Sequence, residues 1–169
     1  MTKLTRLAAI AAACTVAATP AFAVPVSGPN IPVTATARIT KPLTLTEVSD
    51  MDFGEIIVQD AGVATMSTAG AVTCSGGLTC QGSTSAATYH ITGTNQQTVF
   101  ITKPDVTLTN TDGSGATLTL VLNGHGPTSV PLPNSGQSGT DFSLGGQISV
   151  AANTREGTYR GDLNVTVNY

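Results

Sequence analysis

Three observations predict an all-β chain built from antiparallel strands. Apolar residues recur at every second position in roughly eight to ten short stretches, each bounded by Gly, Pro or Asn. No stretch holds a long helical period, so no crossover helix is available to make a parallel sheet. The composition agrees: Thr, Val, Gly and Ala dominate, charge is sparse and Trp is absent. Short strands at this spacing read as a sandwich or a barrel. A membrane barrel is excluded by the uneven strand lengths and the lack of aromatic girdles.

The chain opens with a segment that is not part of that fold. Met1 to Ala23 reads as a signal peptide, with Lys3 and Arg6 preceding the apolar run Leu7 to Ala18 and the small-x-small site Ala21-Phe22-Ala23. The run is too short to remain as a membrane anchor, so cleavage is expected to leave Val24 first, with no transmembrane segment. Cys14, in Ala-Ala-Ala-Cys, loosely matches a lipoprotein site. Processing there would leave a very short apolar region, and a complete ordinary site follows, so Cys14 is expected to leave with the leader. Residues 24–169 then make one domain's worth of chain. They hold five basic residues (Arg38, Lys41, Lys103, Arg155, Arg160) against ten acidic ones, a net charge of −5. Nucleic acid, which needs clustered Lys and Arg, is not an expected partner.

Element by element, Val24 to Asn30 is an unpaired lead-in, with two prolines and a glycine. Ile31, Val33, Ala35, Ala37 and Ile39 alternate with polar residues and predict a first strand over 31–39. Lys41-Pro42 interrupts it, and Leu43 and Leu45 resume the pattern. Met51 and Phe53 share one parity and Ile56 and Val58 the other, so a bulge is expected at Gly54. Val63 to Ser67 predicts a weak short strand. Cys74 and Cys80, in CSGGLTC, are the only cysteines left after cleavage. In a secreted chain, such a pair predicts a disulfide across a tight turn at Gly76-Gly77. Zinc would need further ligands, and a redox pair more often reads C-x-x-C.

Ala87, Tyr89 and Ile91 set one face of the next strand, leaving His90 with Thr88 and Thr92 towards solvent. Val99 and Ile101 alternate within Gln97 to Lys103. Asn110 to Gly115 is expected to be a hairpin turn, since it has one carboxylate and Val121 stands where a calcium loop needs Glu. Ala116 to Leu122 alternates, Pro127 to Gly139 reads as a loop, and Phe142, Leu144, Ile148 and Val150 predict two short strands. His125 falls in a turn, Asn123 to Gly126. Asn153 to Gly157 turns into the last stretch, Thr158 to Tyr169, where Tyr159, Gly161, Leu163, Val165, Val167 and Tyr169 alternate with polar residues. As one unbroken strand it would span on the order of 40 Å.

No residue set carries an enzymatic reading. The chain has no G-x-S-x-G, phosphate loop or H-E-x-x-H, its acids are scattered, and Asp52-Phe53-Gly54 lacks every companion motif of a kinase. The two histidines stand apart, so no metal, cofactor or catalytic residue is expected.

The last stretch, GTYRGDLNVTVNY, resembles the carboxy-terminal strand of chaperone–usher pilins. NIPVTATARITKPLTLT is similar to the donor extension and first strand of the alternate (class 5) and archaic pilins, and the Leu-x-Leu and Asp-Phe-Gly pieces look like the same groups. The whole of residues 24–169 resembles a family of secreted bacterial proteins known as a domain of unknown function, often discussed as pilin-like. The resemblance implies an immunoglobulin-like antiparallel β-sandwich over 41–169 that lacks one strand, with residues 24–40 as an amino-terminal extension. It implies a structural subunit of a fimbria, exported through the periplasm to the cell surface and serving adhesion or biofilm formation. Its implied partners are identical or related subunits, a periplasmic chaperone and an outer-membrane usher. Ile31, Val33, Ala35, Ala37 and Ile39 would be the donor residues. Tyr159, Leu163, Val165, Val167 and Tyr169 would wall the acceptor groove and meet the chaperone. The alternative is a self-complete secreted sandwich that binds carbohydrate or protein, in which residues 31–39 pair within their own sheet.

Overall fold

The computed structural model describes Gly28, residues 32–133 and residues 138–169. The chain divides into two units, one ending at Ala37 and the other running from Arg38 to Tyr169. The second is an antiparallel β-sandwich, and no helix occurs among the described residues. Its strands are β1 (Thr44–Ser49), β2 (Glu55–Met66), β3 (Val72–Gln81), β4 (Ala87–Thr92), β5 (Gln97–Thr102) and β6 (Val106–Asn110). They continue with β7 (Thr117–Val121), β8 (Ser129–Leu132), β9 (Thr140–Leu144), β10 (Gly146–Val150), β11 (Tyr159–Arg160) and β12 (Thr166–Asn168).

The strands form three hydrogen-bonded sheets, ordered β1-β4-β9, β12-β5-β8 and β11-β6-β7-β10-β2-β3. Most connections cross between sheets, and two of these are the shortest. β9 pairs with β4, and β10, one residue later, pairs with β2 and β7. Likewise β5 pairs with β8 and β12, and β6, after Lys103-Pro104-Asp105, pairs with β7 and β11. Lys103 is buried at that corner, and its Nζ donates to the carbonyls of Gly126 and Pro127 at 3.2 and 2.9 Å. Those two bonds offset the cost of burying the charge, which pulls the ammonium's pKa below its ordinary value.

Alternation becomes burial where both faces are covered. In β4, Ala87, Tyr89 and Ile91 are buried and Thr88, His90 and Thr92 are half-buried. They join Val99, Ile101, Val130, Leu132, Phe142 and Leu144 in one cluster, where the Tyr89 and Phe142 rings stack with centroids 5.5 Å apart. A second cluster gathers Ala64, Leu78, Val106, Leu108, Leu120, Leu122, Ile148 and Val150.

The disulfide between Cys74 and Cys80 is present, and it does more than close a turn. Both cysteines belong to β3, opposite Ala64 and Ile56 of β2. Six steps along a straight strand would separate them by about 20 Å, yet their Cα atoms are 5.8 Å apart. The β2–β3 ribbon therefore doubles back on itself, at the register shift between Val58 and Gly62. The sulfurs tie the two arms together.

Several expectations need correction. Ile31 and the leader lie outside the described residues, as does most of the lead-in. Pro32 to Ile39 form no strand and are exposed, with Val33 at 89% and Ile39 at 90%. Alternation defines two faces, but a strand also needs a hydrogen-bonding neighbour, and none pairs with this segment. The last stretch is two short strands rather than one. Tyr159 pairs with Asn110, and Thr166 with Thr102, so the register slips by one residue where it passes the β5–β6 corner. Val63 to Ser67 is mostly the end of β2, the longest strand, rather than a weak element. The loop expected over Pro127 to Gly139 contains β8, whose Val130 and Leu132 are buried; Pro131 hid it, and β8 tolerates that proline at the edge of its sheet.

Candidate functional site

Two of the stretches that lie at sheet edges border a common cavity. β1 is an edge strand, paired only with β4. The terminal stretch is an edge twice over, as β11 beside β6 and as β12 beside β5. A cavity of about 1380 Å³ is lined on one side by residues 47–55 and on the other by residues 154–163. Its floor is the second cluster: Leu108, Leu120, Ile148 and Val150.

The walls follow from local sequence. After β1, Asp52 pairs with Ser85 in an isolated bridge, and its Oδ1 accepts the Gly54 N–H at 2.8 Å. Gly54 takes a φ of 69°, which a side chain resists. That turn produces the parity shift read from the sequence: Met51 and Phe53, then Ile56 and Val58, are the half-buried residues. On the opposite wall, Tyr159, Leu163, Val165 and Val167 are half-buried, whereas Arg160, Asp162, Asn164, Thr166 and Asn168 are exposed. The alternation of the last stretch is thus realised in burial, but none of its apolar residues is fully covered. Such surface costs roughly 25 cal/mol per Å² while it stays in water.

Outside the cavity lining, the two stretches are tied to each other. The N–H of Thr94 donates to the Tyr169 hydroxyl at 2.6 Å, and that hydroxyl donates to the Lys41 carbonyl at 3.1 Å. The Lys41 N–H donates to Thr94 Oγ1 at 2.7 Å. Gly93 makes the closure possible, since a Cβ there would run into the Tyr169 hydroxyl. The start of β1 and the end of the chain are therefore joined at the β4–β5 turn.

The rim of the cavity is acidic. Glu47, Asp50, Asp52 and Glu55 line one wall, with Glu156 and Asp162 on the other. A hydrogen bond with Asp50, together with the negative charge of that residue, raises the Glu47 carboxyl above its ordinary value. Tyr89, on the floor below, is raised first by burial and then by the charges of Glu47 and Asp50. Arg155 and Arg160 line the cavity too; the Arg155 guanidinium is bound to Asp112 at 2.6 Å, and Arg160 is exposed on the wall opposite Glu47.

The sequence of this folded part is itself recognisable. The family model for Domain of unknown function (DUF4402) matches residues 43–169. The chain belongs to the DUF4402 family. No curated protein matches the chain, and neither does any solved structure. The DUF4402 match takes in all twelve strands and both walls of the groove, and it begins just after the Lys41-Pro42 hinge.

Of the residues expected to build a site, the DUF4402 domain brings Tyr159 and Leu163 to the cavity. Val165 and Val167 pack instead on the first cluster, and Tyr169 sits at the tie with Lys41. Val33, Ala35, Ala37 and Ile39 meet no strand of their own sheet. Reading the sequence missed two features. The wall from Glu47 to Glu55 was legible only as a bulge, although its four acids in nine residues were a signal. His90 has a partner: its Nδ1 lies 2.5 Å from Asp141 Oδ1, the residue opposite it on β9. That pair is on the outer face with the Thr88–Ser143 hydroxyl contact and does not line the groove. No group of three or more metal-ligating side chains occurs among the described residues.

Proposed function

We propose that this protein is a structural subunit of a bacterial surface fibre, assembled by donor-strand complementation. In this reading residues 24–40 of one copy enter the groove of the next, and Ile31, Val33, Ala35, Ala37 and Ile39 fill it. The observation that carries the reading is the cavity of about 1380 Å³ between two edge strands, floored by core residues. It is larger than the roughly 300–1,000 Å³ of a usual small-molecule pocket. Its two walls include β1 and β11, each at the edge of its sheet, which suits an added strand. The chain also carries an alternating apolar segment that forms no strand over its described residues 32–39, which favours this reading over a self-complete sandwich binding carbohydrate or protein.

The proposal extends to the route. A signal peptide over residues 1–23 would direct export, a periplasmic chaperone would cover the groove first, and an outer-membrane usher would release the subunit to the cell surface. Adhesion or biofilm formation would follow from the assembled fibre.

The test removes residues 24–39 from the mature protein and measures thermal stability and size, with and without a synthetic peptide of that segment. Donor-strand assembly predicts a weakly stable protein whose Tm the peptide raises, and polymers from the untruncated protein. A stable monomer indifferent to the peptide would sink the reading.

A further inference from the structure

The rim of the groove is acidic, and the chain's own cations are suited to it. Glu47, Asp50, Asp52 and Glu55 lie along one wall, and all four are exposed. None of these four has a cationic partner among the described residues, where the ion pairs are His90–Asp141 and Arg155–Asp112. A hydrogen bond with Asp50 and the negative charge of that residue both raise the Glu47 carboxyl. Two adjacent carboxylates at the mouth of an apolar groove are relieved by a cation carried on whatever enters.

Arg38 and Lys41 are the only Lys or Arg between Val24 and Thr102, and they stand at the base of the alternating segment. Arg38 is exposed, and its Nη2 donates to the neutral Gln97 amide at 2.8 Å, so its charge is not compensated there. A strand entering from a second copy must leave that copy's folded body outside the groove. The residues nearest the body, Arg38 and Lys41, then stay at the mouth of the groove, where Glu47, Asp50, Asp52 and Glu55 are exposed, while the apolar residues before them run inward. Arg38 has the parity opposite to Val33, Ala35, Ala37 and Ile39, so its side chain leaves the strand on the face away from the floor.

We propose that the acidic rim of the groove is an electrostatic docking surface for the basic base of a second copy's extension, with Glu47 and Asp50 receiving Arg38 and Lys41. This rests on the fibre-subunit reading and adds what selects the incoming strand: a copy whose hinge is basic is accepted, and one whose hinge is neutral or acidic is disfavoured. Charges at the rim of an interface act mainly on encounter rate and on salt dependence.

The test uses the full mature chain, held at a concentration where it stays monomeric, and fluorescently labelled peptides of residues 24–41. Binding is followed by polarisation between about 20 and 500 mM salt, a range over which the screening length falls several-fold. The unmodified peptide is expected to bind, weakening as salt rises. A peptide carrying Arg38→Glu and Lys41→Glu is expected to bind about tenfold more weakly at low salt, with the gap closing at high salt. Protein carrying Glu47→Lys and Asp50→Lys is expected to reverse that order and prefer the acidic peptide. Because two lysines can perturb β1, Glu47→Gln with Asp50→Asn is run beside it and is expected to flatten the salt dependence. If both peptides bind equally at every salt concentration, the docking surface is refuted while the groove reading stands. If neither peptide binds, the groove reading fails and this inference with it.

Discussion

The two hydrophobic clusters are built from the same kinds of residue and both have buried cores, yet they meet the cavity unequally. The first lies among β4, β5, β8 and β9, with Ile91, Val99 and Leu144 at 0% exposure, and of its core only Ala87 and Tyr89 line the cavity. The second lies under β6, β7, β10 and β2, and Leu108, Leu120, Ile148 and Val150 of its core line the cavity. Phe53, Ile56, Val58, Leu118 and Tyr159, half-covered around them, line it too.

Mutations can test that contrast, and the largest effect belongs to the first cluster. Ile91→Ala is expected to cost about 3 kcal/mol in urea unfolding, the usual size for a fully buried aliphatic truncation. Leu118→Ala, beside the second cluster, is expected to cost about 1 kcal/mol, because its side chain already meets solvent. Saturation with the peptide of residues 24–41 should raise the cost of Leu118→Ala and leave that of Ile91→Ala unchanged. Equal costs with and without peptide would mean that the second cluster is not what the extension covers.

Next in size is the disulfide. Replacing Cys74 and Cys80 with Ser is expected to cost about 2 kcal/mol, from loss of a small closed loop in the unfolded chain. The bridge also holds the arm of β3 opposite Ile56 and Val58, which line the groove. The comparison is therefore sharpened by measuring both properties. Peptide affinity should fall in this variant, whereas Ile91→Ala should leave it intact apart from the folded fraction.

How much of this was legible depended on whether a residue's role was local. The buried faces of β4, β5 and β10 were set by alternation, and the bulge at Gly54 by a parity shift. The disulfide followed from CSGGLTC. Features created by strands far apart in sequence were not readable. The β2–β3 ribbon doubles back through a register shift that no local pattern marks. Pro131 made β8 resemble a loop, and the terminal stretch reads as unbroken although its pairing slips at the β5–β6 corner. The tie outside the cavity joins Lys41, Thr94 and Tyr169, of which the last two are 75 residues apart. The acidic wall was visible in composition, but its position beside the cavity was not.

The tie at Tyr169 offers a smaller effect. Tyr169→Phe removes the acceptor of the Thr94 N–H and a donor to the Lys41 carbonyl, and is expected to cost about 1 kcal/mol. Gly93→Ala places a methyl group against the same hydroxyl, so it should disturb the tie more than Tyr169→Phe does. The acidic rim should be indifferent to both, which a salt titration of peptide binding would check.

The smallest expected effect concerns a residue that is not part of the groove but holds a groove residue in place. Asp112, in the β6–β7 turn, is bonded to the side chain and N–H of Ser114 and then to Arg155, which lower its carboxyl to about 2 from an ordinary 3.8. Because the folded pKa lies below the unfolded one, the ionised form favours the folded state. Its contribution is present above the unfolded value near 4 and is lost as pH falls from there through about 2. Asp112→Asn should therefore lower stability slightly at neutral pH and converge with the unmodified protein as pH falls through that window, flattening the acid limb, as unfolding midpoints at pH 6, 4 and 3 would show. Arg155 freed from Asp112 would add a cation to the wall opposite Glu47, so the same variant should also weaken the salt dependence of peptide binding. An unchanged acid limb would mean that solvent already screens the pair, and an unchanged salt slope would confine the electrostatics of docking to the wall after β1.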